Sequence, residues 1–401
     1  MRVNNKNLEK APASLAIISS DAHSIYHFRG SLISMLVKQG VTVYALAPYN
    51  ASGVRDSLKE MGVITVNVSL SRGKFSILSD IFGIFKNAYI LSKIKPTATL
   101  SYFIKPVIYG SFSSFLARVP HRVAMIEGLG YLYTKSRNLE GFKKKIMRSI
   151  VSLLYKLALK TTHKVIFLNK DDKVEFVDRR IVDKDKTKIL GGIGVDLGEW
   201  SFSRPSVSPF TFIFVGRLLK EKGVFELMTA FRRISKEFPG VKLFILGDVD
   251  NSNPGSITRQ KMENFANSVK CTWIKRAKTI HWLKKSSVFV LPSYREGVPR
   301  STQEALSVGL PVITTDVPGC RETVINGKNG FLVPCCDATA LYNAMSKFLE
   351  NNDIVFDMSK RSREIAEARF DENVINERLF QILFSGRQIK KVIETKNETI
   401  V

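Results

Sequence analysis

Residues Ser287–Pro334 read SVFVLPSYREGVPRSTQEALSVGLPVITTDVPGCRETVINGKNGFLVP. The stretch opens on an apolar run, Val288–Leu291, that is short and β-branched, as a buried strand is. A turn-rich loop follows from Pro292 to Pro299, with Gly297 inside it. A helical pattern then covers Ser301–Val308, and two more β-rich runs follow at Val312–Thr314 and Phe331–Val333. Strands without polar alternation, separated by a helix, make the βαβ unit of a parallel sheet covered on both faces.

The same alternation extends outward from this stretch. Its strand series is Phe210–Val215, Val241–Leu246, Cys271–Ile274, Val288–Leu291, Val312–Thr314 and Phe331–Val333. The helices between them lie near Val224–Glu237, Ser301–Val308 and Ala338–Glu350. An earlier series runs Leu15–Ser19, Val41–Leu46, Ile64–Val68, Thr97–Tyr102, Val123–Ile126 and Val165–Leu168. Its helices are expected near Arg29–Gln39, Ser52–Met61, Phe75–Lys93, Pro106–Ala117 and Gly141–Lys160. The Gly-, Ser- and Pro-rich segment Gly191–Pro209 separates the two series. Right-handed crossovers then predict an α/β chain of two Rossmann-like doubly wound domains facing a cleft. The first spans 1–195 and the second 196–370; residues 371–401 form a helix returning to the first domain and a frayed tail over Lys390–Val401. The helical pattern at this end runs over Ser359–Phe384. A chain of 401 residues suits two such domains.

Composition sets the remaining bounds. Hydrophobic residues at 44% and charged residues at 24% are ordinary for a globular chain. Neither a secretion signal nor an apolar run of about 18 residues is legible. Cys271, Cys320, Cys335 and Cys336 make no disulfide framework and no metal-ligand spacing, so a reducing, cytoplasmic compartment is expected. The charge is unusual: 61 Lys and Arg against 36 Asp and Glu, a net of +25. Such a chain is drawn to polyanions. In Gly141–Lys160, residues Ile146, Ile150, Leu153, Leu154 and Leu157 share one helical stripe, and Lys143, Lys144, Lys145, Arg148, Lys156 and Lys160 supply charge. Two readings stay open: an interfacial helix on anionic lipid, or a domain helix with its stripe to the core. With the global charge, the expectation is peripheral association with the inner face of the cytoplasmic membrane. No nucleic-acid module is recognisable, so nucleic acid is not an expected partner.

Ligands of doubly wound sheets bind beyond the carboxyl ends of the strands. After Phe210–Val215 comes Gly216-Arg217-Leu218-Leu219-Lys220-Glu221-Lys222-Gly223, then a helix. Two cations in a glycine-bounded turn at a helix start suit a diphosphate. After Val288–Leu291 stand Glu296 and Glu304, eight apart. Ser301 and Glu304 form an S-x-x-E capping box, which is a structural reason for Glu304; Glu296 has none. A carboxylate here can also accept from ribose hydroxyls.

These segments resemble glycosyltransferase family four, a retaining group with the GT-B fold. Its Glu-x7-Glu motif falls on Glu296 and Glu304, and FVGRLLKEKGV is similar to its GRL-x-x-x-KG element. KPVIYGS and AMIEGLGY look like the bacterial subgroup that assembles O-antigen, capsule and N-glycan precursors. The resemblance covers about Leu15 to Phe380. It implies a nucleotide-sugar donor, by kinship a UDP sugar, and an undecaprenyl-diphosphate-linked saccharide acceptor. It implies that Arg217 and Lys222, beside Gly216, hold the donor diphosphate and that Glu304 binds ribose. Glu296 would lie beside the donor sugar, with the backbone of Gly297, Val298, Pro299, Arg300 and Ser301 closing around it. Glu127 would face the cleft from the first domain, as an electrostatic stabiliser, an acceptor contact or a purely structural group. Relatives usually carry glycine after the strand ending near Ile274; this chain has Lys275.

Candidates for the acceptor are His23, His27 and Arg29 after the first strand, and Lys105 of KPVIYGS. Asp248 and Asp250 form a D-x-D pair, but they run into a turn, and neither metal nor any other cofactor is expected. Two other functions fit less of the pattern: a nucleotide-sugar 2-epimerase on the same fold, and a basic nucleic-acid-binding protein resting on charge alone.

Overall fold

A computed structural model describes residues 13–49, 52–68, 77–134, 141–250, 253 and 255–384. The expected frayed tail over Lys390–Val401 lies outside the described residues. The first half alternates β1 (Ser14–Ile18), α1 (Ala22–Lys38), β2 (Thr42–Ala47), α2 (Ser52–Glu60), β3 (Ile64–Asn67), α3 (Ile77–Ile94) and β4 (Ala98–Tyr102). It continues through a π-helical turn at Pro106–Gly110 into α4 (Ser111–Leu116), β5 (His121–Ile126), α5 (Phe142–Lys160), β6 (Lys164–Phe167), α6 (Lys170–Asp178) and β7 (Thr187–Ile189). These strands form one seven-stranded sheet in the order β3-β2-β1-β4-β5-β6-β7, every pairing parallel.

The second half runs β8 (Thr211–Val215), α7 (Val224–Glu237), β9 (Lys242–Leu246), α8 (Arg259–Ser268), β10 (Cys271–Ile274), α9 (Thr279–Leu283) and β11 (Val288–Leu291). Then come α10 (Arg300–Ser307), β12 (Val312–Thr315), β13 (Gly330–Val333), α11 (Ala338–Glu350), α12 (Asp353–Arg369) and α13 (Glu372–Leu383). Its six strands are also all parallel, in the order β10-β9-β8-β11-β12-β13. In each sheet the order reverses direction beside the first strand, which is the doubly wound pattern and opens a crevice at that point. Two α/β domains of this kind are the expected fold class.

Both sheets are buried on two faces, so β1, β8 and β11 are apolar almost throughout and β5 from Val123 on. The last helix crosses back: α13 packs on α1 and β4, Asn376 Nδ2 donates to Ser31 Oγ at 3.0 Å, and His121 Nε2 donates to the Ile382 carbonyl at 3.0 Å.

Several local expectations are corrected. The helical pattern over Ser359–Phe384 is two helices, broken at Phe370–Asp371, where Asp371 caps α13 by accepting from Asn373 N. Helix α1 begins at Ala22, not Arg29, because Asp21 caps it by accepting from His23 N at 3.2 Å. His23, His27 and Arg29 are therefore helical residues. Helices α6, α8 and α9 and strand β7 had no counterpart in the sequence reading. Of the two readings open for the α5 stripe, the core-facing one does not hold: the helix buries Val151, Tyr155, Ala158 and Leu159, while Ile146, Ile150, Leu153 and Leu157 face solvent. No helix among the described residues is long and apolar enough to cross a membrane.

Candidate active site

The site is built where the carboxyl ends of β5 and β11 confront each other. Beyond β5 the chain reads Glu127-Gly128, and beyond β11 it reaches Glu296-Gly297. A Cβ at Gly297 would overlap the Glu127 carbonyl oxygen, and a Cβ at Gly128 would sit 3.0 Å from the Gly297 nitrogen. Only glycine permits this approach, and Gly128 also holds φ at +131°. From behind, Gly319 presses on the carbonyls of Glu296 and Gly297, and Glu296 N donates to the Pro318 carbonyl at 3.1 Å. The stretches IEGLGY and YREGVPR, far apart in sequence, thus touch.

Two ion pairs flank the contact. Lys222 Nζ bonds Glu296 Oε1, and Arg29 Nη2 bonds Glu127 Oε1; all four side chains are largely withdrawn from solvent. Lys222 is placed by the single turn Lys220–Lys222, closed by Gly223 at φ 72°, which also caps α7. That glycine is obligatory, since a Cβ would collide with the Pro292 carbonyl. Tyr294 ties the same helix start to the Glu296 loop: its N donates to the Glu221 carbonyl at 2.8 Å and its hydroxyl to Glu226 Oε1 at 2.7 Å. Burial raises the Glu127 carboxyl, and the Arg29 guanidinium works against that rise.

Arg217 follows Gly216 at the end of β8, is 64% exposed, and reaches Asp250 Oδ2 at 3.5 Å. Asp248 faces Arg259 at 3.5 Å, so the D-x-D pair is turned to arginines. No group of three metal-ligating side chains is assembled among the described residues.

The expected capping box is absent. Pro299 is the N-cap of α10, with φ −65° and ψ 126°, and makes no side-chain cap. Arg300 is already helical, so Ser301 lies inside the first turn, where its hydroxyl cannot cap. Glu304 instead accepts from Arg300 Nε at 3.0 Å, and Arg300 Nη1 donates to the His27 carbonyl of the first domain at 2.7 Å. Burial lifts the Glu304 carboxyl to about 7; Arg300 opposes the shift and Glu199 adds to it. A folded-state value above the ordinary 4.5 means that this group favours the fold below 4.5 and that the benefit is lost as pH rises through about 7. Glu304→Gln is therefore expected to raise the Tm above that of the wild type at pH 8.5 and to match it at pH 4.5. Equal Tm values at pH 8.5 would show that Glu304 carries no burial penalty.

Of the acceptor candidates, Arg29 is buried and paired with Glu127. Lys105 is likewise buried, 3.5 Å from Asp80 Oδ1, and Tyr109 donates its hydroxyl to the same carboxylate at 2.9 Å. His23 and His27 stack one turn apart on α1 with ring centroids 6.3 Å apart. Burial, then His23 and Arg300, lower the His27 imidazole, which favours its neutral form near neutral pH.

Sequence reasoning missed the joint that aligns the halves. Arg295 crosses into the first domain, where Nη2 reaches Asp172 Oδ1 at 2.5 Å and Glu175 Oε2 at 2.8 Å, and Nη1 donates to the Tyr133 carbonyl at 3.1 Å. Asn169 Nδ2 donates to the Gly297 carbonyl at 2.6 Å. Arg321 reaches Asp171 at 3.0 Å. Asn169, Asp171, Asp172 and Glu175 all belong to α6 or its cap. A signal was present: Asn followed by two acids in a first turn is a helix start.

Residues 199–369 match the family of glycosyl transferases group 1. The chain is similar to the N,N'-diacetylbacillosaminyl-diphospho-undecaprenol alpha-1,3-N-acetylgalactosaminyltransferase of Campylobacter jejuni, 26% identical over 397 residues, covering 94% of this chain and all of the relative. It is also similar to the UDP-Gal:alpha-D-GlcNAc-diphosphoundecaprenol alpha-1,3-galactosyltransferase of Escherichia coli, 28% identical over 333 residues, 77% of this chain and 79% of that one. In fold it matches sucrose-phosphate synthase from Thermosynechococcus elongatus with a TM-score of 0.73, at 18% identity, over 92% of this chain and 98% of that one. The two parallel-sheet domains give this chain the GT-B fold, and the group 1 match together with the transferase relatives makes it a glycosyltransferase. Its second domain is of the group 1 type, and the chain is a hexosyltransferase of the bacterial polysaccharide kind.

Proposed function

We propose that the chain moves a sugar, with retention of configuration, from a nucleotide-diphosphate donor to a lipid-linked saccharide at the cytoplasmic face of an anionic membrane. The observation that carries this reading is the junction of the Lys222–Glu296 pair with the Arg29–Glu127 pair across the Gly128–Gly297 contact. Both relatives carry diphosphoundecaprenol in their names and one names UDP-Gal as donor, which supports a UDP sugar and an undecaprenyl-diphosphate-linked acceptor for this chain. Product use in O-antigen, capsule or exopolysaccharide follows from the same kinship.

In this reading Arg217 and Lys222, at the turn before α7, hold the donor diphosphate beside Gly216. Ionised Glu304 accepts from the ribose hydroxyls, Glu296 lies by the sugar, and the Gly297–Ser301 backbone lines its pocket. Glu127, held by Arg29, faces the acceptor. The bond from the anomeric carbon to the β-phosphate oxygen breaks, the acceptor hydroxyl oxygen bonds that carbon on the same face, and its proton passes to the departing phosphate. Cations at that phosphate act where charge develops. Closing of the two halves, joined by Arg295, excludes water and limits hydrolysis. With Asp248 and Asp250 turned to arginines, the reaction is proposed to need no metal.

The test is a screen of nucleotide sugars against undecaprenyl-diphosphate-linked acceptors, with products read by mass, with and without EDTA. The expected product gains one hexose or N-acetylhexosamine at an unchanged rate in EDTA. Donor isomerised without an acceptor would mark an epimerase instead, and a strict need for Mn²⁺ or Mg²⁺ would return Asp248 and Asp250 to the mechanism.

A further inference from the structure

The helices on one face of the first sheet carry apolar residues on both of their sides. Inward, α5 packs Val151, Tyr155, Ala158 and Leu159, and α3 packs Leu91 and Ala88. Outward, α5 turns Phe142, Ile146, Ile150, Leu153 and Leu157 to solvent, and α3 turns out Ile81, Phe82, Phe85 and Tyr89. At about 100° per residue, Ile146, Ile150, Leu153 and Leu157 fall on one line, opposite the buried line. Helix α4 packs between the two and adds Phe115 and Leu116. Phe82 is 71% and Phe142 78% exposed, values that a folded chain leaves on its surface singly but seldom in a row.

The charge on this face selects the occupant. Helices α4 and α5 contain no acidic residue, and α5 carries Lys143, Lys144, Lys145, Arg148, Lys156 and Lys160. The one acid of α3, Asp80, is turned to Lys105 and Tyr109. A second copy of the same face would set these cations against each other, which disfavours self-pairing. Anionic lipid satisfies both the apolar row and the lysines. On the flank of α5, Arg148, Ser149, Ser152, Arg179 and Ile181 line an open cavity of about 380 Å³, large enough for a phosphodiester group. Two guanidiniums give the cavity a positive lining that suits such a group, although Arg179 Nη2 also pairs with Glu175 Oε1 at 3.0 Å and the Ser149 hydroxyl donates to the Lys145 carbonyl. The face also reaches the working edge, since α3 and α5 both begin at the carboxyl ends of the strands, where Glu127 and Gly128 lie.

We propose that the outer face of α3, α4 and α5 docks the chain on an anionic phospholipid bilayer, with its aromatic and aliphatic residues in the interfacial layer, its lysines on the headgroups and the Arg148–Arg179 cavity on a lipid phosphate. The proposal deepens the reading of the chain as an enzyme of lipid-linked acceptors, but its test needs no turnover. Purified full-length chain is floated with phosphatidylglycerol–phosphatidylcholine vesicles and with phosphatidylcholine vesicles alone. The wild type is expected to float with the first and far less with the second, and less again at high salt. Phe82→Ser/Phe85→Ser/Leu153→Ser should lower the bound fraction by about tenfold at unchanged Tm, since these side chains contribute apolar area to the interface and not to the core. Ile325→Ser, an exposed apolar site in the other domain, should leave it unchanged. If the triple variant melts early, Ile150→Trp provides a second measurement: the emission of the introduced indole should shift to the blue on anionic vesicles and be quenched by brominated lipid. A triple variant that floats like the wild type, an indole emission from Ile150→Trp that is blind to lipid, or a lipid-free dimer that the triple substitution dissolves would each overturn the proposal. Binding of free inorganic phosphate in the cavity without flotation would overturn it too. Turnover on detergent-dispersed acceptor is scored separately, so loss of one reading is distinguishable from loss of the other.

Discussion

Lys222→Ala should lower kcat by about a hundred- to a thousandfold, the usual cost of removing one donor aimed at developing charge. The side chain sits where a departing diphosphate would meet the start of α7, in a turn fixed by Gly223, and its ammonium contacts Glu296 in the resting chain. Two explanations for a slow variant must be separated. Lys222 could act on the diphosphate, or it could merely neutralise Glu296, whose carboxylate would otherwise lie buried without a counter-ion. The double variant Lys222→Ala/Glu296→Gln separates them. If Lys222 serves the leaving group, the double variant stays as slow as Lys222→Ala. If it serves only Glu296, removing both charges restores much of the rate. A single variant within threefold of the wild type would take Lys222 out of the site.

Arg295→Ala should be the most damaging substitution for the joint between domains, with an expected loss of about 3–5 kcal/mol, typical of a buried ion pair deprived of one partner. Arg295 is 8% exposed and Asp172 fully buried, so the carboxylate left behind has no water to turn to. Burial works against the Arg295 charge, and the facing carboxylates of Asp172 and Glu175 outweigh it. Arg295→Lys should rescue little, because one ammonium cannot reach two carboxylates and the Tyr133 carbonyl with the geometry of a guanidinium. Denaturant unfolding reads the stability, and adding Asp172→Asn to Arg295→Ala should recover part of it by discharging the orphan. Turnover should fall as well, since the same helix, α6, holds Gly297 through Asn169. An unfolding midpoint unchanged by Arg295→Ala would show that the joint contributes nothing.

The local periodicities of the chain determined much of this. Helices α7 and α11 occupy the residues read from their patterns, and the all-parallel sheets follow from strands too apolar to face water. The glycines of GRLLKEKG and YREGVPR were legible as turn positions, because a missing side chain is itself a local property; their close backbone contacts were not. Helix α6 was not read, although Asn169, Asp171 and Asp172 mark its start, because its short polar pattern gives little periodic signal. The capping box misled because Pro299 caps the helix two residues earlier than the motif assumes.

The sequence alone therefore determined most of the strands and the longer helices, and which kinds of side chain stand at the strand ends, since each depends on neighbours a few bonds away. Only the tertiary structure decided that Arg29 meets Glu127, that Arg295 meets Asp172, and that the α5 stripe faces outward. The partners of those ion pairs are 98 and 123 residues apart; the first pairing depends on how α1 packs on its own sheet, the second on how the two domains meet. A helix with apolar residues on two sides does not state which side the sheet will cover; packing against β-strands from elsewhere in the chain makes that choice.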